Sequence, residues 1–269
     1  MVSALAFAVL SHTASAAVLD GDTAPCDLEN GYASSPAAFA EEVDACMGAF
    51  PNSSVIATET QISGLSERHR AQYGLEPLAQ RDSLQRAARA HAMDMAARGY
   101  ASHQSPEGLD HSDRLRRLDR TALFGTTGAN IAVLDAGSSA IAAFNVMISD
   151  PVNAENLRRT TFSHSGVGVA ETEDGAIIVV QLFAKVDALL EAPLPHIVDS
   201  RQATSVKFVD TDFSAETLKL TSARDGRTTQ VAHAIVPARH RAGDASLLLE
   251  ASLGTATFTL HGPVVTIAN

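Results

Sequence analysis

The run His111-Ser112-Asp113 holds the three residue types of a nucleophilic hydrolase. In that chemistry a base takes the hydroxyl proton and an acid orients the base, so the three must meet in space. Adjacency along a chain does not supply that geometry, and the run reads instead as a helix N-terminus with Ser or Asp capping. There is no His-Glu-x-x-His zinc helix and no Gly-x-Ser-x-Gly nucleophile turn. His91 falls on an apolar helical stripe, where a hydrogen-bonded core residue is expected. His69, between Arg68 and Arg70, is expected to be exposed, and His164 to sit at the surface or edge of a strand beginning near Gly166. His196, His233, His240 and His261 show no ligand spacing. Cys26 and Cys46 bracket one short segment. They would pair in an oxidising compartment and stay as two thiols in a reducing one. Closing that loop would stabilise the fold by about 3 kcal/mol on the chain-entropy picture.

Composition narrows the partners. Twenty Lys and Arg against 31 Asp and Glu give a net charge of −11 over 269 residues. A general nucleic-acid binder needs a basic face to neutralise phosphates, and an anionic membrane would repel this chain. No apolar run after the first 20 or so residues is long enough to span a bilayer. Residues 1–16 read as a secretory signal: an apolar stretch, then Ala14-Ser15-Ala16 as a small-residue cleavage site. No Lys or Arg precedes the apolar run. Residues 17–57 form an acidic extension, whose carboxylates (with Glu59 just beyond) read as solvated rather than as a metal site. Asn52-Ser53-Ser54 fits a glycosylation sequon.

Periodicity then places the elements. Asp82 and Gln85 have the spacing of a capping box. Leu84, Ala87, Ala88, His91 and Met95 follow on one helical stripe, with Arg86, Arg89 and Asp94 off it and Gly99 as terminator. Further helical segments are expected over Thr60–Tyr73, Ser112–Asp119 and Ser138–Ile148. The run from Gly166 to Ala184 reads as a hairpin of two apolar strands around Glu173-Asp174-Gly175. Helices covering both faces of a hairpin predict an α/β fold, an α-β-α sandwich, over residues 58–187. The Pro-interrupted stretch from Glu191 to Asp199 reads as a linker, and short β-branched runs over 191–269 as a small all-β C-terminal module.

The ordered series of Glu67 to Gly108, Gly128-Ala129-Asn130-Ile131, Met147 to Leu157 and Phe162 to Ala184 resembles the CAP superfamily. This family, also called SCP-like, includes cysteine-rich secretory and pathogenesis-related proteins, and the bacterial branch is the nearest likeness. The resemblance implies an extracellular or periplasmic α-β-α sandwich with a groove where two His and two acidic residues can hold a divalent metal. His103 matches the first His. The family's Gly-Glu-Asn-Ile reads Gly128-Ala129-Asn130-Ile131, so Ala129 replaces the Glu. Asp150 falls where the second acid is carried, and Asn153 falls on the second His.

That exchange decides the expected chemistry. Zinc needs three or four converging N, S or carboxylate ligands. His103 and Asp150 are weak candidates, Asn153 offers a neutral amide oxygen, and Ala129 offers nothing. Weak or absent metal binding and no other cofactor are expected. The first reading is a non-catalytic binding protein whose partner is a protein, lipid or envelope ligand. The alternatives are a metal-assisted, peptidase-like hydrolase using His103 and Asp150, with His164 as a rearranged partner, and a lipid or sterol binder, which the resemblance also implies.

Overall fold

A computed structural model of the chain describes residues 26–49, 53–199, 204–209, 213–231, 234–235 and 242–268. Residues 1–16, Asn52, His233 and His240 lie outside them, and with them the signal and sequon expectations. In chain order the elements are α1 (Pro36–Ala49), α2 (Ser53–Gln72), β1 (Ala79–Gln80), α3 (Asp82–Arg98), α4 (His111–Leu118), β2 (Ala122–Leu134), α5 (Ala140–Ser149), α6 (Pro151–Arg158), β3 (His164–Glu171) and β4 (Ile177–Leu189). The C-terminal part adds β5 (Ile197–Asp199), β6 (Thr204–Ser205), β7 (Ser214–Ser222), β8 (Thr228–Val231), β9 (Ala234–Ile235), β10 (Gly243–Leu253) and β11 (Ala256–Ala268).

The hairpin β3–β4 is the centre of an α-β-α sandwich. It turns through Thr172–Gly175, with Gly175 at φ 83°. On one face, α1, α3 and α4 cover Val180, Leu182 and Ala184; on the other, α2, α5 and α6 cover Val179 and Phe183. The stripe Leu84, Ala87, Ala88, His91 and Met95 is buried as its spacing predicts. Its small residues let α3 lie directly on β3. A Cβ added at Gly166 or Gly168 would run into the α3 backbone at Gln85 or Arg89, so those glycines are required by close approach. Gly99 ends α3 in the left-handed conformation, donating its N–H to Met95 O.

Several expectations change. The N-cap of α3 is Arg81, with no side-chain cap, and Asp82 is already helical. Arg81 is held elsewhere: its N–H donates to Ser165 O beside the parallel β1–β3 pair, and its guanidinium binds the buried Asp119 at 2.5 and 3.0 Å. Asp94 is buried rather than on the solvent side of α3. His69 is half-buried against the rings of Tyr73 and Phe144. The acidic extension is not simply solvated, because α1 inserts Phe39, Val43 and Cys46 into the core. Cys26 and Cys46 form a disulfide. The boundary at residue 57 falls inside α2, and Glu59 is only 2% exposed.

A C-terminal β-rich region is present, and it continues the central sheet in the order β1-β3-β4-β2-β11-β10-β7-β8. The strands β2 and β4 are long enough for two cores. Their far ends place Leu123 and Ala188 among Leu220, Leu247, Leu249 and Val265. Glu191 to Asp199 is an ordered strap rather than a free linker. Arg120 donates to the carbonyls of Leu194, Pro195 and Val264, and β5 pairs in parallel with β11. A register shift near Ser246–Leu248 accommodates Pro263 within β11, since proline cannot donate to the ladder.

Candidate functional site

Alternation along β2 sorts the groove positions. Ala129 pairs with Leu182 and shares its face, toward α3 and α4. Asn130 pairs with Gln181 and faces the opposite way, toward α2 and α6. His103 lies exposed on the connection between α3 and α4. Asp150 and Asn153 belong to α6, against the other face.

The loop that carries His103 is fixed by a short charge network. Asp94 accepts from Arg98 Nε at 2.8 Å, Arg98 Nη2 at 2.9 Å and the Tyr100 hydroxyl at 2.5 Å. Arg98 also reaches Glu107 beyond the loop, at 2.6 and 2.9 Å. Arg98's hydrogen bond holds the Glu107 carboxyl down at about 2. Arg114, 1% exposed, lies 3.6 Å from Asp94 and donates to Leu109 O. Burial and then the Asp94 carboxylate raise the Tyr100 phenol.

Under this loop sit His91 and His111. His91 is 1% exposed, and burial, reinforced by Arg114 and the neighbouring histidines, lowers its pKa to about 3. Burial also lowers His111, against the pull of Asp110. Both are neutral at pH 7. His111 Nε2 lies 3.1 Å from Thr127 Oγ1, which lies 2.5 Å from Ser112 Oγ. Thr127 is two residues from Ala129 on the same side of β2. Asp113 does not orient His111. It forms a capping box with Asp110, accepting the Asp110 N–H while its own N–H donates to Asp110 Oδ1 at 2.8 Å. The trio therefore lacks the acid of a triad, and it ties the start of α4 to β2.

On the opposite face, polar groups hold the fold. Asp150 caps α6, its Oδ1 accepting from Val152 N at 2.8 Å and Asn153 N at 3.0 Å. Asn153 contributes its carbonyl, which accepts from Asn130 Nδ2 at 3.0 Å. Asn156 Nδ2 donates to Asn130 Oδ1 and to Ala129 O. The structure thus brings Ala129 and Asn153 together through the backbone and the amides between them, and His103 is no part of that network. Among the described residues no group of three or more His, Cys, Asp or Glu is placed to hold a metal ion. Of the aligned positions, Ala129 has no donor, and the Asp150 Oδ1 is engaged in capping α6.

The remaining histidines are accounted for locally. His164 Nδ1 lies 2.8 Å from Ser163 Oγ at the start of β3. His196 Nε2 lies 3.0 Å from Arg117 O, and His261 is exposed on β11. Sequence reasoning missed two polar centres. Thr127 carries no motif of its own. Glu59, which accepts from Arg89, Gln85 and Val169 N–H, did leave a signal: Glu59, Ile62, Ser66 and Arg70 share the buried stripe of α2 at helical spacing.

The model of the CAP family, described as the cysteine-rich secretory protein family, matches residues 66–183. The uncharacterised protein YkwD of Bacillus subtilis (strain 168) is 29% identical over 133 residues, 49% of this chain and 49% of that protein. The chain thus spans about half the length of that curated relative. An extracellular protein containing an SCP domain, from Bacillus anthracis str. Ames, aligns at 26% identity and a TM-score of 0.43, over 53% of this chain and 43% of that one. An outer surface protein of Borrelia burgdorferi aligns at 22% identity and a TM-score of 0.44, over 48% and 93%. With the family match and the helices on both faces of its sheet, residues 66–183 of this chain form a region similar to the CAP domain.

Proposed function

We propose that this protein works as an exported, non-catalytic binding or interaction module whose CAP groove has lost its chemistry. One observation carries the reading. Of the positions aligned with the family's metal groove, one is a buried methyl, Ala129, and two, Asp150 and Asn153, hold the first turn of α6 in place. General acid–base catalysis needs a positioned group with a matched pKa. His103 is left without an acidic partner from those positions. The N-terminal signal pattern and the Cys26–Cys46 disulfide support export.

The test is a panel of peptide and ester substrates assayed with and without zinc, calcium and magnesium. The expected result is no turnover above background in either condition. Metal-dependent turnover that disappears in His103→Ala would overturn the reading in favour of a metal-assisted hydrolase.

A further inference from the structure

A cavity of about 500 Å³ opens between α3, the N-terminal stretch, α2 and the end of β3. Its described lining includes none of His103, Ala129, Asp150 or Asn153. The walls are mainly apolar, with Leu28, Val55, Met93, Ala96 and Val169. The volume and the lining are those of a small-molecule site, and an unbranched Met side chain can adapt to an occupant.

The charges at this cavity are unbalanced. Arg89 is the cation on its described lining, and it is already neutralised: its Nε and Nη2 both donate to the buried Glu59 carboxylate. Glu171 and Glu173 stand at the mouth, both exposed, with Asp174 next on the same turn. Among the described residues neither Glu171 nor Glu173 has an ion-pair partner. The mouth is therefore net negative in a chain that is itself at −11. An apolar ligand ending in a carboxylate would be repelled there, and one ending in a protonated amine attracted.

We propose that this cavity binds an amphiphilic cation, with its alkyl body against Leu28, Met93 and Ala96 and its ammonium head between Glu171 and Glu173. The site is separate from the groove, and the inference survives whether or not the groove proves catalytic.

Isothermal titration at low salt with decylammonium, decanoate and decanol, each below its micelle concentration, tests it. Decylammonium should saturate a single site. Decanoate should bind about tenfold more weakly or worse, since two carboxylates near a surface act on the head group with opposite sign for the two probes. The double variant Glu171→Gln, Glu173→Gln should weaken decylammonium by roughly three- to tenfold and erase the preference. Ala96→Phe should block all three probes by filling the cavity. Ala97→Phe, at an exposed lining position, repeats that test should the first variant fail to fold. Decanoate binding as tightly as decylammonium overturns the proposal. So does the absence of saturable binding, or decylammonium binding that neither the charge variant nor the filling variants alter.

Discussion

The two faces of the CAP sheet are held by different means. Toward α3 the contact is backbone on backbone, at Gly166 and Gly168, with Glu59 reaching across to bind Arg89 and the Val169 N–H. Toward α6 the contact runs through amides, Asn130 and Asn156 bonding to each other and to main-chain carbonyls. Two of the groove positions, Ala129 and Asn153, play a minor part in these contacts. Ala129 adds a methyl to the first face, and Asn153 adds a backbone oxygen to the second, which any residue would supply. At those two positions the side chain can change while the contacts persist; at Asp150 the carboxylate itself caps α6.

The sharpest way to break the contrast is Glu59→Ala. It leaves Arg89 and a strand N–H without their partner in a buried setting and should cost about 4 kcal/mol, read from the urea midpoint. Gly168→Ala comes next. Its methyl has no room against the α3 backbone, so a loss of about 2–3 kcal/mol is expected, seen as a lower Tm. On the amide face, Asn130→Ala removes the bonds to Asn153 and Asn156 and should cost about 1–2 kcal/mol. A fourth effect comes from His91. Its folded pKa is below its unfolded value, so the unfolded state binds the extra proton and stability is lost as pH falls below about 6.5. The slope approaches about 1.4 kcal/mol per unit down toward pH 4. His91→Leu should flatten that limb in urea titrations at pH 6.5 and 5. The smallest effect is Asn153→Ala, within about 0.5 kcal/mol. If it cost as much as Asn130→Ala, the side chain and not the carbonyl would matter at that position.

Much of the fold was legible where the signal is local. The α3 stripe with its Gly99 stop and the hairpin turn at Gly175 follow from spacing and turn chemistry. What escaped depended on partners far along the chain. Asp82 has a cap residue's type, but Arg81 was already committed to Ser165 and Asp119. Glu59 and Asp94 resemble solvent-facing acids until Arg89 and Arg98 are placed against them. The stretch at Pro193 and Pro195 has a linker's composition, and the bonds from Arg120 to the Leu194 and Pro195 carbonyls, with the pairing of β5 to β11, make it a strap. At the groove, the exchanges at Ala129 and Asn153 are what the family resemblance implies. That Ala129 lies toward α3 and α4 while α6 packs on the other face was not legible, because it depends on how distant helices pack on the sheet.

Zinc titration of the full chain and of His103→Ala, followed by calorimetry, addresses the loss of groove chemistry most directly. The account predicts no saturable binding tighter than the roughly micromolar range and no difference between the two proteins. Nanomolar zinc affinity that vanishes with His103 would contradict it.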